Sequence, residues 1–338
     1  MDARGWRATG NRSRELRRLA VNATHVGIVW NPAKTSKEDL GEALAEAIGD
    51  GEAPRVSWYE TSVEDPGRGQ AQEALDAGAD VVVAAGGDGT VRAVAECLAD
   101  TETESALGIV PMGTGNLLSR NLEVPLNSLP DAFAAALGGD TRTVDLAWAQ
   151  ADCGDGDVRL AFTVMAGIGI DAHMITETDE DLKGKVGWLA YVESLGRAVS
   201  ASDIIAMGLA VDGGETERHQ AHTLIVGNCG LLTGGVTLLP DATPDDGELD
   251  MLVLSADGVS GWLDTLRSMV WDNGLKRLVG ASDKAESSES VDHRRLTEVV
   301  VDLEQPRMLE LDGDEVGETA RITFSVQPAA LQVRVPRD

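Results

Sequence analysis

The chain has 338 residues, 43% of them hydrophobic, which is enough for two domains with separate cores and ordinary for a soluble globular protein. Aspartate and glutamate total 57 against 28 lysines and arginines, and the formal charge of −29 excludes an electrostatic nucleic-acid binder in dilute buffer. No apolar stretch approaches a membrane span, and the scattered cysteines Cys97, Cys153 and Cys229 support neither a disulfide framework nor a zinc knuckle, so a reducing cytoplasm is the expected setting.

In molar salt the Debye length falls to roughly 3 Å and the self-repulsion of such a surface is mostly screened. The acidic excess therefore predicts a halophilic host. Residues 1–22 carry Arg4, Arg7, Arg12, Arg14, Arg17 and Arg18 without an apolar core. They read as a frayed tail rather than a secretory signal, with weak contact to anionic lipid as the lesser alternative.

From residue 23 the pattern alternates. His25–Trp30 is a strand running into Asn31-Pro-Ala-Lys-Thr-Ser-Lys37, and Glu38 to Ile48 has Leu40, Leu44 and Ile48 on one helical face. Arg55–Glu60 is a second strand, followed by Thr61 and a helix from Gln70 to Ala77. Val81–Ala85 is a valine-rich run of the kind buried on both faces of a parallel sheet, and it opens into Gly86-Gly-Asp-Gly-Thr90 and a helix. Leu107-Gly-Ile-Val-Pro-Met-Gly-Thr-Gly-Asn116 repeats that design before a short helix at Leu117–Asn121. Alternating strands and helices imply a parallel sheet whose functional loops leave the strands' carboxyl ends.

Glycines let a backbone approach an anion, a helix start adds partial positive charge, and Asp88 is placed to hold a metal ion carried by phosphates. The plainer alternative is a tight turn whose aspartate caps a helix. There is no Gly-Lys-Ser/Thr and no dinucleotide spacing, so the site is neither a P-loop nor a Rossmann fingerprint.

Beyond residue 144 strand-like runs dominate: 159–165, 204–211, 222–227, 249–254, 299–303 and 321–326. Helical stretches are expected at 182–199 and 259–278. Residues 280–295 are polar and of low complexity, and read as a mobile loop.

The string Gly86-Gly-Asp-Gly-Thr90, with Asn31-Pro32 before it and Pro111-Met-Gly-Thr-Gly-Asn116 after it, resembles the diacylglycerol kinase catalytic-domain family, including sphingosine-type lipid kinases, and more distantly NAD kinases. The resemblance implies an α/β fold: an N-terminal three-layer parallel-sheet nucleotide domain (23–144) and a C-terminal β-rich sandwich domain (145–338) whose last strand returns to the first. It implies ATP and Mg2+ as cofactors. The nucleotide-binding set it implies is Asn31, Pro32, Lys34, Thr35, Thr61, Gly86, Gly87, Asp88, Gly89, Thr90, Thr114 and Asn116. Asp145, at the family's crossing point, and Lys183, which matches a lysine near the substrate head group, form the implied substrate set. Pro240–Asp250 resembles a loop holding a structural magnesium, with Asp246 as the ligand carboxylate and main-chain carbonyls near Thr243 and Glu248 as its partners. Leu311-Asp-Gly-Asp-Glu315 resembles the turn bearing the catalytic base, open here between Asp312, Asp314 and Glu315.

Three departures stand out. Leu117 replaces a common aspartate. The first loop lacks a glycine after Asn31-Pro32, so the phosphate-facing lysine is open between Lys34 and Lys37. The last motif is Asp-Gly-Asp rather than Asp-Gly-Glu. The implied function is phosphoryl transfer from ATP to a lipid alcohol, with Asp88 and one acid of the last turn in the reaction. NAD kinase, or a regulator without catalysis, is the alternative. Expected partners are the lipid, a transient contact with the inner membrane surface, and a second copy in a homodimer.

Overall fold

The computed structural model describes residues 23–153, 156–169, 203–233, 237–255 and 291–337. The chain divides into two compact units, the first ending at Val144 and regaining the chain from Ala330, the second running from Asp145 to Ala329.

The first unit is a parallel sheet between helices. Strands β1 (His25–Trp30), β2 (Arg55–Glu60), β3 (Val81–Gly86) and β4 (Ala106–Pro111) lie in the order β2-β1-β3-β4, and all their pairings are parallel. Helices α1 (Lys37–Ile48), α2 (Arg68–Asp76), α3 (Asp88–Asp100), α4 (Leu117–Asn121) and α5 (Leu129–Gly138) connect them. Every residue of β1, β3 and β4 is buried, as expected of strands covered on both faces. Leu40, Leu44, Phe133, Ala136 and Leu137 of α1 and α5 share one core with Val26, Ile28, Val81, Val83 and Val110. Close approach needs small residues. A Cβ on Gly27 would lie 2.6 Å from Ala74 of α2, and one on Gly108 would lie 2.8 Å from Ala136 of α5.

Local signals set the ends of the elements. Ser36 caps α1 by accepting the Asp39 N–H at 3.0 Å, with Glu38 and Asp39 in the first turn against the helix dipole. Helix α5 was not expected from the sequence. Its residues are buried almost all round, so no 3.6-residue stripe shows, and only Ser128 as cap and Pro130 in the first turn mark it. Asp80 fastens the start of β1: it accepts Thr24 N–H at 2.8 Å, Thr24 hydroxyl at 2.7 Å and His25 N–H at 3.0 Å. Burial pushes its carboxyl up, but these bonds outweigh that and hold it below the usual range.

The second unit is antiparallel and strand-rich. Its strands are β5 (Asp140–Asp152, shared with the first unit), β6 (Asp157–Phe162), β7 (Met165–Ile168), β8 (Ile205–Val211), β9 (Glu217–Gly227), β10 (Leu249–Ser255), β11 (Val291–Leu296), β12 (Glu298–Leu311) and β13 (Asp314–Val335). The order runs β11-β10-β9-β7-β12-β13, with β8 against β9 and β12, and β6 against β5. Phe162 and Phe324 meet edge to face at 6.0 Å inside a core with Val226, Met251, Val299 and Leu309. The end of β13 belongs to the first unit, where Val333 pairs parallel with Leu107 of β4.

Two expectations are corrected. Residues 291–295 are not loop but part of strand β11, paired antiparallel with β10. Strand β12 continues past Leu303 to Leu311, with a register shift between Asp302 and Arg307 that absorbs Pro306. The helices expected at 182–199 and 259–278 lie outside the described residues.

Candidate functional site

In the order β2-β1-β3-β4 the chain reverses direction of travel between β1 and β3, and a doubly wound sheet opens a crevice at such a point, beyond the strands' carboxyl ends. The loops that flank it begin in register: Asn31 N–H donates to Ala85 O at 3.1 Å, Thr61 N–H to Trp30 O at 3.0 Å and Met112 N–H to Gly86 O at 2.8 Å. The structure thus brings Asn31, Thr61, Gly86–Thr90 and Met112–Asn116 to one edge of one sheet.

The two glycine loops touch main chain to main chain. A Cβ on Gly113 would lie 2.9 Å from Gly87 Cα, and one on Gly86 would lie 2.6 Å from the Thr90 side chain. Gly115 is held just as closely, since a Cβ there would sit 2.8 Å from Asp88 Oδ2. Helix α3 starts at this contact with Gly87 as its cap and without a side chain closing its first turn. The first turn of a helix presents outward N–H groups and partial positive charge, which favour an anion.

Asp88 has a defined task. Its Oδ2 accepts Asn116 N–H at 2.8 Å and its Oδ1 accepts Leu117 N–H at 2.6 Å, so one carboxylate caps the following short helix α4 and ties the two loops together. The capping role weighed for this aspartate is therefore real, although the helix it caps is the next one. Asn116 adopts a left-handed conformation (φ 47°) and folds its side chain back, accepting Gly113 N–H and donating to Gly113 O, each at 2.7 Å. Arg120, not singled out in the sequence, donates from Nε to Gly115 O at 2.6 Å. Leu117, at the position of the missing aspartate, is buried.

In the first loop Asn31 Oδ1 accepts Ala33 N–H at 2.9 Å and Asn31 O accepts Lys34 N–H at 3.1 Å, a compact Asx turn that does without the glycine. Lys37 opens α1 with Nζ 5.5 Å from the Trp58 ring. Lys34 is exposed on the loop, with Pro32 beside it, and Thr35 is half-buried. Thr61 and Thr90 are buried, whereas Thr114 is exposed.

The residues singled out in the second half have other surroundings. Lys183 lies outside the described residues. Asp145 is 4% exposed and accepts Gly247 N–H and Ala329 N–H, each at 2.7 Å. That makes it a fastener of two chain turns. Asp312 and Gly313 both have positive φ (51° and 89°) between the paired residues Leu311 and Asp314, the geometry of a type I′ hairpin. The Asp312 carboxylate accepts Thr163 N–H at 2.8 Å, Thr163 hydroxyl at 3.0 Å, Val164 N–H at 2.8 Å and Met165 N–H at 3.1 Å. Four donors occupy the lone pairs of this carboxylate. Asp314 and Glu315, at the same turn, are exposed.

In the expected magnesium loop, Asp246 accepts Thr243 hydroxyl at 2.8 Å and Glu248 N–H at 3.1 Å, and Arg295 pairs with both Asp246 and Glu248. Among the described residues no group of three or more acidic, histidine or cysteine side chains is placed to hold a metal ion. The side-chain donors at 243–248, committed to one another and to Arg295, do not fit a magnesium ion.

A sheet with its reversal-point crevice, glycine loops at a helix start and a following antiparallel unit form the arrangement that the resemblance to lipid kinases implies, and comparison with known proteins agrees on the family. Residues 25–149 match the diacylglycerol kinase catalytic domain, and residues 163–335 match the YegS C-terminal NAD kinase beta sandwich-like domain. A Pseudomonas aeruginosa (strain PAO1) protein named "probable lipid kinase YegS-like" is 32% identical over 290 residues, 84% of either chain. A protein of the same name from Xanthomonas oryzae pv. oryzae (strain MAFF 311018) is 32% identical over 329 residues, 93% of this chain and 97% of the relative. The chain belongs to the YegS-like lipid kinase family. A solved Bacillus anthracis (strain Sterne) structure described as a "putative diacylglycerol kinase" shares the fold at 21% identity and a TM-score of 0.70, over 93% of this chain and 97% of its own.

Proposed function

We propose that this lipid kinase transfers the γ-phosphoryl group of ATP to the hydroxyl of a lipid alcohol, a diacylglycerol or an ether-lipid or isoprenoid analogue. The observation that supports the donor side most is the packing of Gly87 against Gly113 at the reversal point, at the start of α3. Phosphoryl transfer passes through a loose transition state, so positioning and charge neutralisation matter more than a strong base.

In this reading the main-chain N–H groups of Gly87, Asp88 and Gly89 receive the phosphates, with the hydroxyl of Thr114 at the rim and the ammonium of Lys34 adding charge from the first loop. Asp88 acts through the loops it ties together. Magnesium arrives with the triphosphate as part of the substrate and neutralises charge on it. The acid that takes the acceptor's proton belongs to the 312–315 turn. The four bonds on Asp312 favour Asp314 or Glu315 for that task. The acidic surface supports work at high salt, and a lipid acceptor supports brief contact with a membrane surface. Among the described residues no helix is long and apolar enough to cross one.

The test offers purified protein labelled ATP and magnesium, at low and molar salt, with diacylglycerols, diether lipids, polyprenols, sphingoid bases and NAD in parallel. Label in one of the lipids is expected. Label confined to NADP would select the NAD kinase reading, and label in none would select a regulator.

A further inference from the structure

The loop at 240–248 departs from the expectation of a bound magnesium, and the departure has a structural cause. Asp246 Oδ1 accepts the Glu248 N–H, while Oδ2 accepts both the Thr243 hydroxyl and Arg295 Nη2. A carboxylate oxygen has two lone pairs, and both of those on Oδ2 are taken. The same Arg295 nitrogen reaches Glu248 Oε2 at 2.7 Å. One carbonyl of the loop is taken as well, since Pro244 O accepts Asp145 N–H at 2.6 Å, and Gly247 N–H donates to Asp145 Oδ2 at 2.7 Å. Magnesium demands about six oxygens at roughly 2.0–2.1 Å. Here a guanidinium nitrogen stands where the two carboxylates converge.

The strand register explains how the arginine arrives there. In the β10–β11 pair, Arg295 lies opposite Asp250 and His293 opposite Leu252. Each reaches diagonally, to the residue two positions before its partner: His293 Nε2 lies 3.1 Å from Asp250 Oδ1, and Arg295 lies against Glu248. Diagonal neighbours on one face of an antiparallel pair are within reach of long side chains. One face of β11 therefore meets a row of acids that leads from β10 back into the loop.

We propose that Arg295 takes the part of the structural cation in this chain, so that an internal ion pair with Asp246 and Glu248, and not a divalent metal, closes the 243–248 loop. Guanidinium suits the task because it stays charged at any working pH and presents a planar set of donors to carboxylates. The inference concerns the second unit's folding and is independent of which acceptor is phosphorylated.

Thermal unfolding of the full chain without nucleotide, at one fixed salt concentration, tests it with a chelator or with millimolar magnesium as the only additive. The native protein should show the same Tm in both. Arg295→Gln should lower Tm by about 2–4 °C in chelator, and magnesium should restore part of that loss by occupying the released carboxylates. Arg295→Lys keeps the charge but loses the planar donor set, so it should fall between the two and, if Arg295→Gln does not fold, carries the comparison. A native Tm that drops in chelator and returns with magnesium would overturn the proposal. So would a native-like Tm of Arg295→Gln in chelator.

Discussion

The glycine loops of the first unit and the aspartate turns of the second solve the same problem, a sharp turn next to a site, by opposite means. At 86–90 and 112–116 side chains are removed, so that Gly87 and Gly113 meet main chain to main chain and one carboxylate, Asp88, ties the second loop to the first helix turn. At 145, 246 and 312 side chains are added, and each aspartate gathers two to four donors, those on Asp145 and Asp312 from distant chain and those on Asp246 from its own loop and Arg295. In the proposed function the first device leaves the amides of a helix start for a ligand. The second uses the carboxylates up. An aspartate inside a recognisable motif is thus first a fastener, and its chemistry depends on which lone pairs the fold leaves.

The sharpest way to break this comparison is Asp312→Asn, which replaces an acceptor of four bonds by a group that presents N–H to N–H. It should cost about 3–5 kcal/mol of stability in chemical denaturation, whereas Asp314→Asn at the exposed end of the turn should change stability by less than about 0.5 kcal/mol while lowering turnover. A destabilised Asp314→Asn beside a native-like Asp312→Asn would reverse the assignment. Next, Gly113→Ala should lower kcat/KM for phosphoryl transfer about 100-fold with the fold retained, because the loops must part by a fraction of an ångström; steady-state kinetics with circular dichroism checks this. Asp145→Asn should cost about 2 kcal/mol, since one of its two buried N–H partners loses its acceptor. The smallest effect belongs to Asp80. Its folded-state carboxyl lies below the unfolded value, so its contribution is present above the unfolded pKa and is lost as pH falls through the lowered folded one. Asp80→Asn should remove on the order of 1 kcal/mol near neutral pH, a modest figure for a partly exposed group, and should flatten the acid limb of the stability profile.

Much of the first unit is legible in the sequence because its signals are local. Val81–Ala85 is a buried run, Leu40 and Leu44 recur at helical spacing, and glycines mark the two loops. Helix α5 escapes because Ala132–Leu137 is apolar all round and looks no more like a helix than a strand. Strand β11 escapes because Asp292-His-Arg-Arg295 is charged, and its partners, Glu217, Asp250, Asp246 and Glu248, come from other strands and loops. The hydrogen-bonded tasks of Asp88, Asp145 and Asp312 stay hidden in the sequence for one reason. A motif names the residue, but the donors that claim its oxygens lie 28 to 184 positions away in sequence, where only tertiary structure reveals them.

The central claim, that the loops at the reversal point of the first sheet take the triphosphate, is tested most directly by calorimetric titration of magnesium ATP into the native protein and into Gly113→Ala without lipid. The account predicts binding by the native chain and at least a tenfold weaker Kd in the variant (about 1.4 kcal/mol) at equal Tm. Equal affinity of the two proteins would contradict it.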